Sequence, residues 1–293
     1  MYDYRQLEAL GAVIEEGGFD RAADVLGLTQ SAVTQRVKQL ETLMGKPLLI
    51  RSNPPVPTEA GVPLYTHFKK VRLLEEELDS ATAEGLSGMP LSLGVNASTL
   101  GSWFLPVLNF IMNNTLVDLH VGEAWVVHKL LKNGDIAGCI SLRQRPSRGC
   151  YVDYLGKLVL RCFATRDFKD RYFPRGIDAE SMRSAPAVLF HPESQMMQRF
   201  QKKVLDVHPF EVPTHIIPSQ SEYMQMIGSG VAYGFLPEPL FNQFKADKGL
   251  IDLSPTAPII IPQYWHRWGI ESKMMDLITL KIKEEAAGKL LQD

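Results

Sequence analysis

Cysteine is scarce in this chain of 293 residues: Cys139, Cys150 and Cys162 are the only three. Their odd number and the absence of any C-x-x-C pair exclude a disulfide framework and a cysteine zinc site, so they are expected to be reduced and mostly buried. No apolar run approaches the roughly 20 residues that span a bilayer. The start, Met1-Tyr2-Asp3-Tyr4-Arg5, lacks the basic-then-apolar pattern of a secretory signal, and a cytoplasmic protein is expected. The seven histidines show no H-E-x-x-H or other ligand spacing, and no G-x-S-x-G elbow occurs, so neither a metal site nor a catalytic residue is expected. Excess positive charge is also missing: 31 Lys and Arg face 33 Asp and Glu, a formal net charge of −2, where a simple nucleic-acid binder would be basic.

What is present begins at the N-terminus. Tyr4, Leu7, Leu10, Val13 and Ile14 recur at helical spacing. Ala22, Ala23 and Leu26 then form a small-residue face, and Gly27 permits a tight turn. Thr29 is a good N-cap for a further helix whose Val33, Val37 and Leu40 share one side. The opposite side offers Gln30, Ser31, Thr34 and Gln35, with Arg36 flanking and Lys38 behind. Short hydrogen-bonding side chains suit base edges in a major groove, and cations suit phosphates. A polar face is also what any surface helix carries, but here it belongs to a compact helix-turn-helix pattern. Pro47 to Arg51 reads as a strand and Ser52-Asn53-Pro54-Pro55 as a turn, which together make a wing with Arg51 placed to touch phosphate. Charge distribution agrees. Residues 1–85 hold nine Lys/Arg against thirteen Asp/Glu, yet residues 34–51 carry four cations and one acid, Glu41.

After Thr58, a helix N-cap, a helix is expected to run to about Glu84, with Val62, Tyr65, Phe68, Val71, Leu74 and Leu78 in a narrow stripe suited to pairing with the same helix of a second subunit. Glu84 to Pro90 reads as a hinge. Beyond it the pattern alternates. Strands are expected at 91–95, 117–121, 136–142, 157–164, 187–190, 214–217 and 232–236, and helices at 100–112, 125–132, 195–205, 222–227 and 272–291. Such alternation implies parallel sheets covered by helices on both faces. Gly228-Ser229-Gly230 with Gly234 is no dinucleotide fingerprint, because Tyr233 stands where the third glycine belongs and a helix precedes it; a helix C-cap feeding a strand is expected. His266, between Trp265 and Arg267, is read as a packed member of an aromatic cluster.

Residues 4–61, with Phe19, Ala22-Ala23, the run Thr29 to Thr34, Leu40-Glu41, Leu48-Leu49, Arg51 and Pro57-Thr58-Glu59-Ala60-Gly61, resemble the DNA-binding domain of the LysR-type transcriptional regulators. Later residues are similar to one branch, the ArgP-like regulators that respond to lysine and arginine: Pro54 to Glu59, Leu73 to Glu77, Leu93 to Asn96, Trp103, Tyr264 to Arg267, Glu271-Ser272 and Met274-Met275. The resemblance covers nearly the whole chain. It implies an N-terminal winged helix-turn-helix, a long linker helix and a C-terminal α/β, two-lobed, periplasmic-binding-protein-like effector domain. The expected units are 1–57 for binding DNA, 58–89 for the linker helix and hinge, and 90–293 for regulation, with lobe I at about 90–160 and 266–293 and lobe II at about 161–265. It further implies promoter DNA, a homodimer or homotetramer and RNA polymerase as partners, no cofactor, and a small effector such as lysine or arginine.

In open α/β sheets ligands bind beyond the C-terminal strand ends. That places Asn96, Ser98 and Thr99 after the first strand of the effector domain, where Ser98 and Thr99 either hydrogen-bond a ligand or cap the helix. Glu123 is the leading anion for a cationic effector, and Trp125 walls a pocket or fills the core. His191 and Ser219-Gln220-Ser221 are the corresponding places in the other lobe. Departing from the acid-rich loop expected of the lysine- and arginine-responsive branch, this chain has Gly122-Glu123-Ala124-Trp125-Val126-Val127. The DNA-binding candidates are Thr29, Gln30, Ser31, Thr34, Gln35, Arg36, Lys38 and Arg51. The rival readings are an architectural DNA-binding protein without a ligand and a solute-binding α/β protein.

Overall fold

A computed structural model describes residues 2–80, 90–240 and 249–292. Three helices open the chain: α1 (Tyr4–Glu15), α2 (Phe19–Leu26) and α3 (Gln30–Met44). Asp3 caps α1 by accepting from the Arg5 amide, and Thr29 caps α3 by accepting from the Ala32 amide at 3.2 Å. Gly27 closes α2 with φ +63, a left-handed conformation that costs a residue bearing a Cβ 1–2 kcal/mol or so. Leu7, Leu10, Val13, Ala22, Val33 and Leu40 meet in one small core. Two short paired strands, β1 (Leu49–Ile50) and β2 (Val56–Pro57), form the wing.

Thr58 Oγ1 then accepts from the Gly61 amide at 3.1 Å, ahead of α4 (Gly61–Ser80). The continuation of this helix to Glu84 and the hinge up to Met89 lie outside the described residues. The expected stripe on α4 is divided between two surroundings, and its first half is covered within this chain. Phe68 packs into the N-terminal core with Leu64, Tyr65 is buried, and the Phe68 ring comes so close to Gly11 that a Cβ there would lie 2.2 Å from it. Burying a side chain such as Phe68 contributes about 1.5–3 kcal/mol. Val71 and Leu74 are half-buried, and Leu78 is exposed.

The remaining elements build one curled sheet and a smaller one. In chain order they are β3 (Leu91–Val95), α5 (Ala97–Thr99), a π-helical turn (Leu100–Phe104), α6 (Leu105–Met112), β4 (Val117–Val121), α7 (Ala124–Asn133), β5 (Gly138–Ser141) and β6 (Cys150–Thr165). There follow α8 (Arg166–Tyr172), α9 (Ala179–Ser184), β7 (Ala187–Leu189), α10 (Met196–Leu205), β8 (Thr214–Ile216), α11 (Gln220–Gly228), β9 (Gly234–Pro237), β10 (Leu250–Asp252), β11 (Ile259–Trp268) and α12 (Lys273–Lys289).

The sheets are not purely parallel. β3 pairs in parallel with β4 and β5, but β11 runs antiparallel to both β5 and β6, and β6 runs antiparallel to β9 and β10. The cause is the long pair β6 and β11, which carries the chain from one lobe to the other and back. Pairing of β11 with β6 continues from Ile259–Leu160 to Trp268–Cys150 and is interrupted by a register shift at Gln263/Tyr264, where Gly156 takes φ +122. β6 starts at Cys150 where a strand was expected from Lys157, and β11 was not expected at all. Against the joint sheet α12 packs Met275, Ile278, Ile282 and Ala286. Trp265, fully buried, donates to Thr279 Oγ1 at 2.9 Å. Beside it His266 meets His128 edge to face at 4.9 Å between centroids and pairs through Nε2 with the Arg143 carbonyl at 2.7 Å. Cys139 and Cys162 are buried and Cys150 half-buried, all three free. No described helix is long and apolar enough to cross a membrane.

Candidate functional site

The outer face of α3 presents Gln30, Ser31, Gln35 and Lys38 to solvent, with Arg51 exposed just beyond β1. Three other candidates are engaged locally. The Thr29 hydroxyl caps α3 and lies 3.0 Å from the Ser31 hydroxyl; Thr34, half-buried, donates back to the Gln30 carbonyl at 2.8 Å, which leaves only its acceptor lone pairs for another partner. Arg36 leans toward Glu8 on α1 at 4.0 Å. Each follows from position: on a helix, a threonine hydroxyl reaches the carbonyl one turn back before it reaches outward.

Between the lobes lies a cavity of about 220 Å³. At about 30 Å³ per water it has room for roughly seven waters or one small organic molecule. One wall is the loop after β3, with Asn96 and Ser98, and the loop after β4, with Gly122 and Glu123. The opposite wall carries Leu189 at the end of β7, Phe190, His191 and Ser194 from the loop after it, and Tyr223 and Phe235 behind them. The floor is the crossing pair: Leu158 and Leu160 of β6, Ile261 and Gln263 of β11.

Polar groups are few and individually defined. Asn96 accepts from the Thr99 amide at 2.9 Å and so caps the helical run that follows. Thr99, buried beneath the cavity, donates to Gln263 Oε1 at 2.8 Å, which fixes the Gln263 amide so that its Nε2 is the free end. Gln263 is 1 % exposed and its Nε2 donates to no described residue. Glu123 begins α7 without a side-chain capping bond, and its carboxylate has no hydrogen bond or ion pair among the described residues. Burial pushes the Glu123 carboxyl above the usual carboxylate range, opposed by the nearby His191. His191 Nδ1 accepts from the Glu193 amide at 3.1 Å, so in the neutral ring Nε2 bears the proton.

Asn96, Ser98, Glu123 and His191 are thus brought together, whereas the other five effector candidates line no part of this cavity. Trp125 is 52 % exposed on an adjoining depression that it shares with Arg143, Glu193 and Arg199. The Ser219 hydroxyl donates to Glu222, the Gln220 amide lies 3.5 Å from Met224 Sδ, and Ser221 accepts from Gln225. All three turn into the first turn of α11, while Pro218 just before them reaches the cavity. Gln263 and Ser194 were missed. The signal for Gln263 was the alternation Ile259, Ile261, Gln263, Trp265, all buried, in a segment that Pro262 disguises.

Residues 4–62 match the bacterial regulatory helix-turn-helix family described as lysR. Over 295 residues, 99 % of both chains, the sequence is 37 % identical to the HTH-type transcriptional regulator ArgP of Vibrio vulnificus strain CMCP6. The chain belongs to the LysR family. It is a DNA-binding transcriptional regulator of the ArgP type. Among solved structures, ArgP from Mycobacterium tuberculosis superimposes with a TM-score of 0.91 at 29 % identity, covering all of both chains. Full-length LysG from Corynebacterium glutamicum with bound effector Arg superimposes at 0.83 and 29 % identity, over 99 % of this chain and all of that one. Both are full-length LysR-type folds, and the two-lobed effector domain of this family member follows the same plan.

Proposed function

We propose that this LysR-family regulator reads promoter DNA with α3 and the wing and answers to an amino acid held between its lobes. Gln30, Ser31, Thr34 and Gln35 would address base edges, with Thr29 holding the helix start; Arg36, Lys38 and Arg51 would hold phosphate. The reading divides the chain into 1–57, 58–89 and 90–293, the last with lobes at about 90–160 with 266–293 and at about 161–265. The outer half of the α4 stripe, Val71, Leu74 and Leu78, supports dimerisation through that helix, since two α3 helices about one DNA turn apart can then read paired half-sites. Assembly to a tetramer through the effector domains, contact with RNA polymerase and residence in the cytoplasm complete the proposal.

The observation that carries the effector is Glu123: an acid with no hydrogen bond or ion pair among the described residues, raised by burial, on the wall of the cavity between the lobes. Such a group fits a ligand ammonium. LysG holds arginine, and lysine and arginine are the first amino acids to try. Effector binding would change how the lobes sit and hence the spacing of the DNA-reading helices. The test is thermal unfolding of the full chain with a panel of amino acids, because a ligand that binds only the folded state raises the unfolding temperature. A selective rise that is lost in Glu123→Gln supports the reading; no rise with any amino acid overturns it.

A further inference from the structure

We infer that the loop between β5 and β6 is a second DNA contact, holding the phosphate backbone of duplex that flanks the site read by α3. The inference goes beyond base reading by α3 and the wing, because it places a contact on the effector domain.

Residues 142–149 carry three arginines, Arg143, Arg145 and Arg148, and no acid. All three are exposed, and their guanidinium groups make no ion pair or hydrogen bond among the described residues. Lys132, exposed in the last turn of α7, adds a fourth cation; it and Arg143 both lie near enough to His128 to depress its imidazole. Glu123 and Glu193 share a depression with Arg143, which leaves Arg145 and Arg148 as the freer pair.

A loop of this composition would ordinarily swing, yet its backbone is pinned at three points. The Arg143 carbonyl pairs with His266 Nε2 at 2.7 Å, and the Ser147 hydroxyl pairs with His128 Nε2 at 3.1 Å. The Gly149 carbonyl accepts from the Gly269 amide at 2.9 Å and from Lys70 Nζ at 3.2 Å. Both histidines are buried, so the edge-to-face pair serves as an inner clamp for an outward row of cations. A held backbone leaves less freedom to lose on binding, and the arginine fork matches phosphate geometry.

The occupant follows from what the loop is tied to. Lys70 belongs to α4, which begins beside the wing, and stands nine residues, about 14 Å of helix, from its first residue. A duplex seated on α3 that bends toward the effector domain therefore runs on toward the arginines. Charge agrees, since residues 1–85 hold more acids than bases and gain from cations supplied elsewhere in the chain.

The experiment uses full-length protein and a duplex that the wild-type chain selects from a random pool. One form is trimmed to the bases that selection fixes, and the other is extended by about 15 base pairs, one and a half turns, on each side. Anisotropy titrations at several salt concentrations compare wild type, R145A/R148A and R145K/R148K. Each phosphate contact contributes about 0.9 to the salt slope. On the extended duplex R145A/R148A should lose about tenfold in affinity and one to two in slope, roughly, while R145K/R148K keeps the wild-type slope. On the trimmed duplex all three proteins should bind alike, which also shows that α3 is intact. Equal losses on both duplexes overturn the flanking contact. An unchanged slope on the extended duplex overturns it as well, and leaves an acidic protein surface as the occupant of the loop.

Discussion

Glu77, near the end of the described part of α4, accepts a hydrogen bond from the hydroxyl of Ser272, the residue that caps α12, and a second from the Met274 amide at 3.2 Å. Ser272 Oγ in turn accepts from the Met275 amide at 3.1 Å. The acid of one helix thereby completes the first turn of another, 195 residues later in the chain. Nearer the N-terminus of α4, Lys70 donates to the Gly149 carbonyl at 3.2 Å. The helix that carries the winged domain is therefore fastened to the effector domain at two places.

Removing the carboxylate should release the first of these. Glu77→Ala leaves a backbone donor of α12 without its partner, at a cost of about 1–3 kcal/mol. Amide exchange at Met274 and Met275 should speed up, and chemical denaturation should show the lower stability. Unchanged exchange at both amides would rule out the fastening.

Gly11 faces the Phe68 ring with no space for a methyl group. Gly11→Ala should force α1 and α4 apart and destabilise the N-terminal core by about 1–3 kcal/mol, the usual range for overpacking. Denaturant midpoints of the two proteins decide it, and equal midpoints refute the close contact.

On DNA, Gln35→Ala and Arg51→Ala should differ in kind. In the proposed reading the exposed Gln35 addresses base edges, so its loss should narrow the gap between specific and random duplex by about 1–3 kcal/mol. Loss of Arg51 should weaken binding to both duplexes and reduce the salt slope by about one. Titrations at several salt concentrations separate the two patterns; parallel losses in both variants would refute the division.

His128 supplies a pH dependence. Burial, together with the nearby His266, Arg143 and Lys132, pushes its imidazole down to about 4. In an unfolded chain it titrates near about 6.5. Between those values the unfolded chain takes up a proton that the native ring refuses. Stability is thus full above about pH 6.5 and declines as pH falls toward 4. Unfolding temperatures at pH 7 and pH 5 measure the decline, and His128→Gln should make it shallower. His266, also lowered by burial, retains part of the slope. An identical slope in the variant would show that His128 contributes none of it.

Much of this architecture is legible locally. The turn at Gly27, the cap at Thr29 and the Val33, Val37, Leu40 face depend on neighbours a few residues away, and the expected helices and wing stand where those signals place them. Strand identity at 150–156 and 259–268 depends on a partner about a hundred residues distant. Pro262 further masks β11, and it is tolerated because the 259–262 half of the strand is paired to β6 alone while β5 meets only 264–267. The parallel sheet expected from alternation fails for the same reason, since two strands that cross between lobes must run in opposite directions. Around the cavity, loop ends after strands identified Asn96, Ser98, Glu123 and His191 as neighbours. Gln263 lay hidden in the unrecognised strand, and Ser219 to Ser221 stand outside the lining because serines and a glutamine at the start of a helix look alike in sequence whether or not they face a cavity.

The crossing pair also sets what kind of motion the lobes can make. Two separate loops would let them swing freely; a hydrogen-bonded ribbon behaves more like a leaf spring, stiff against twist and compliant only where its ladder is broken. That break falls at Gln263, whose amide reaches the cavity on one side, opposite Gly156, against which Leu290 and Gln292 of the C-terminal tail are packed on the other. A molecule that engages Gln263 therefore presses on the softest point of the spring, and the tail, paired to Lys157 through Leu291, is the leaf that must flex with it.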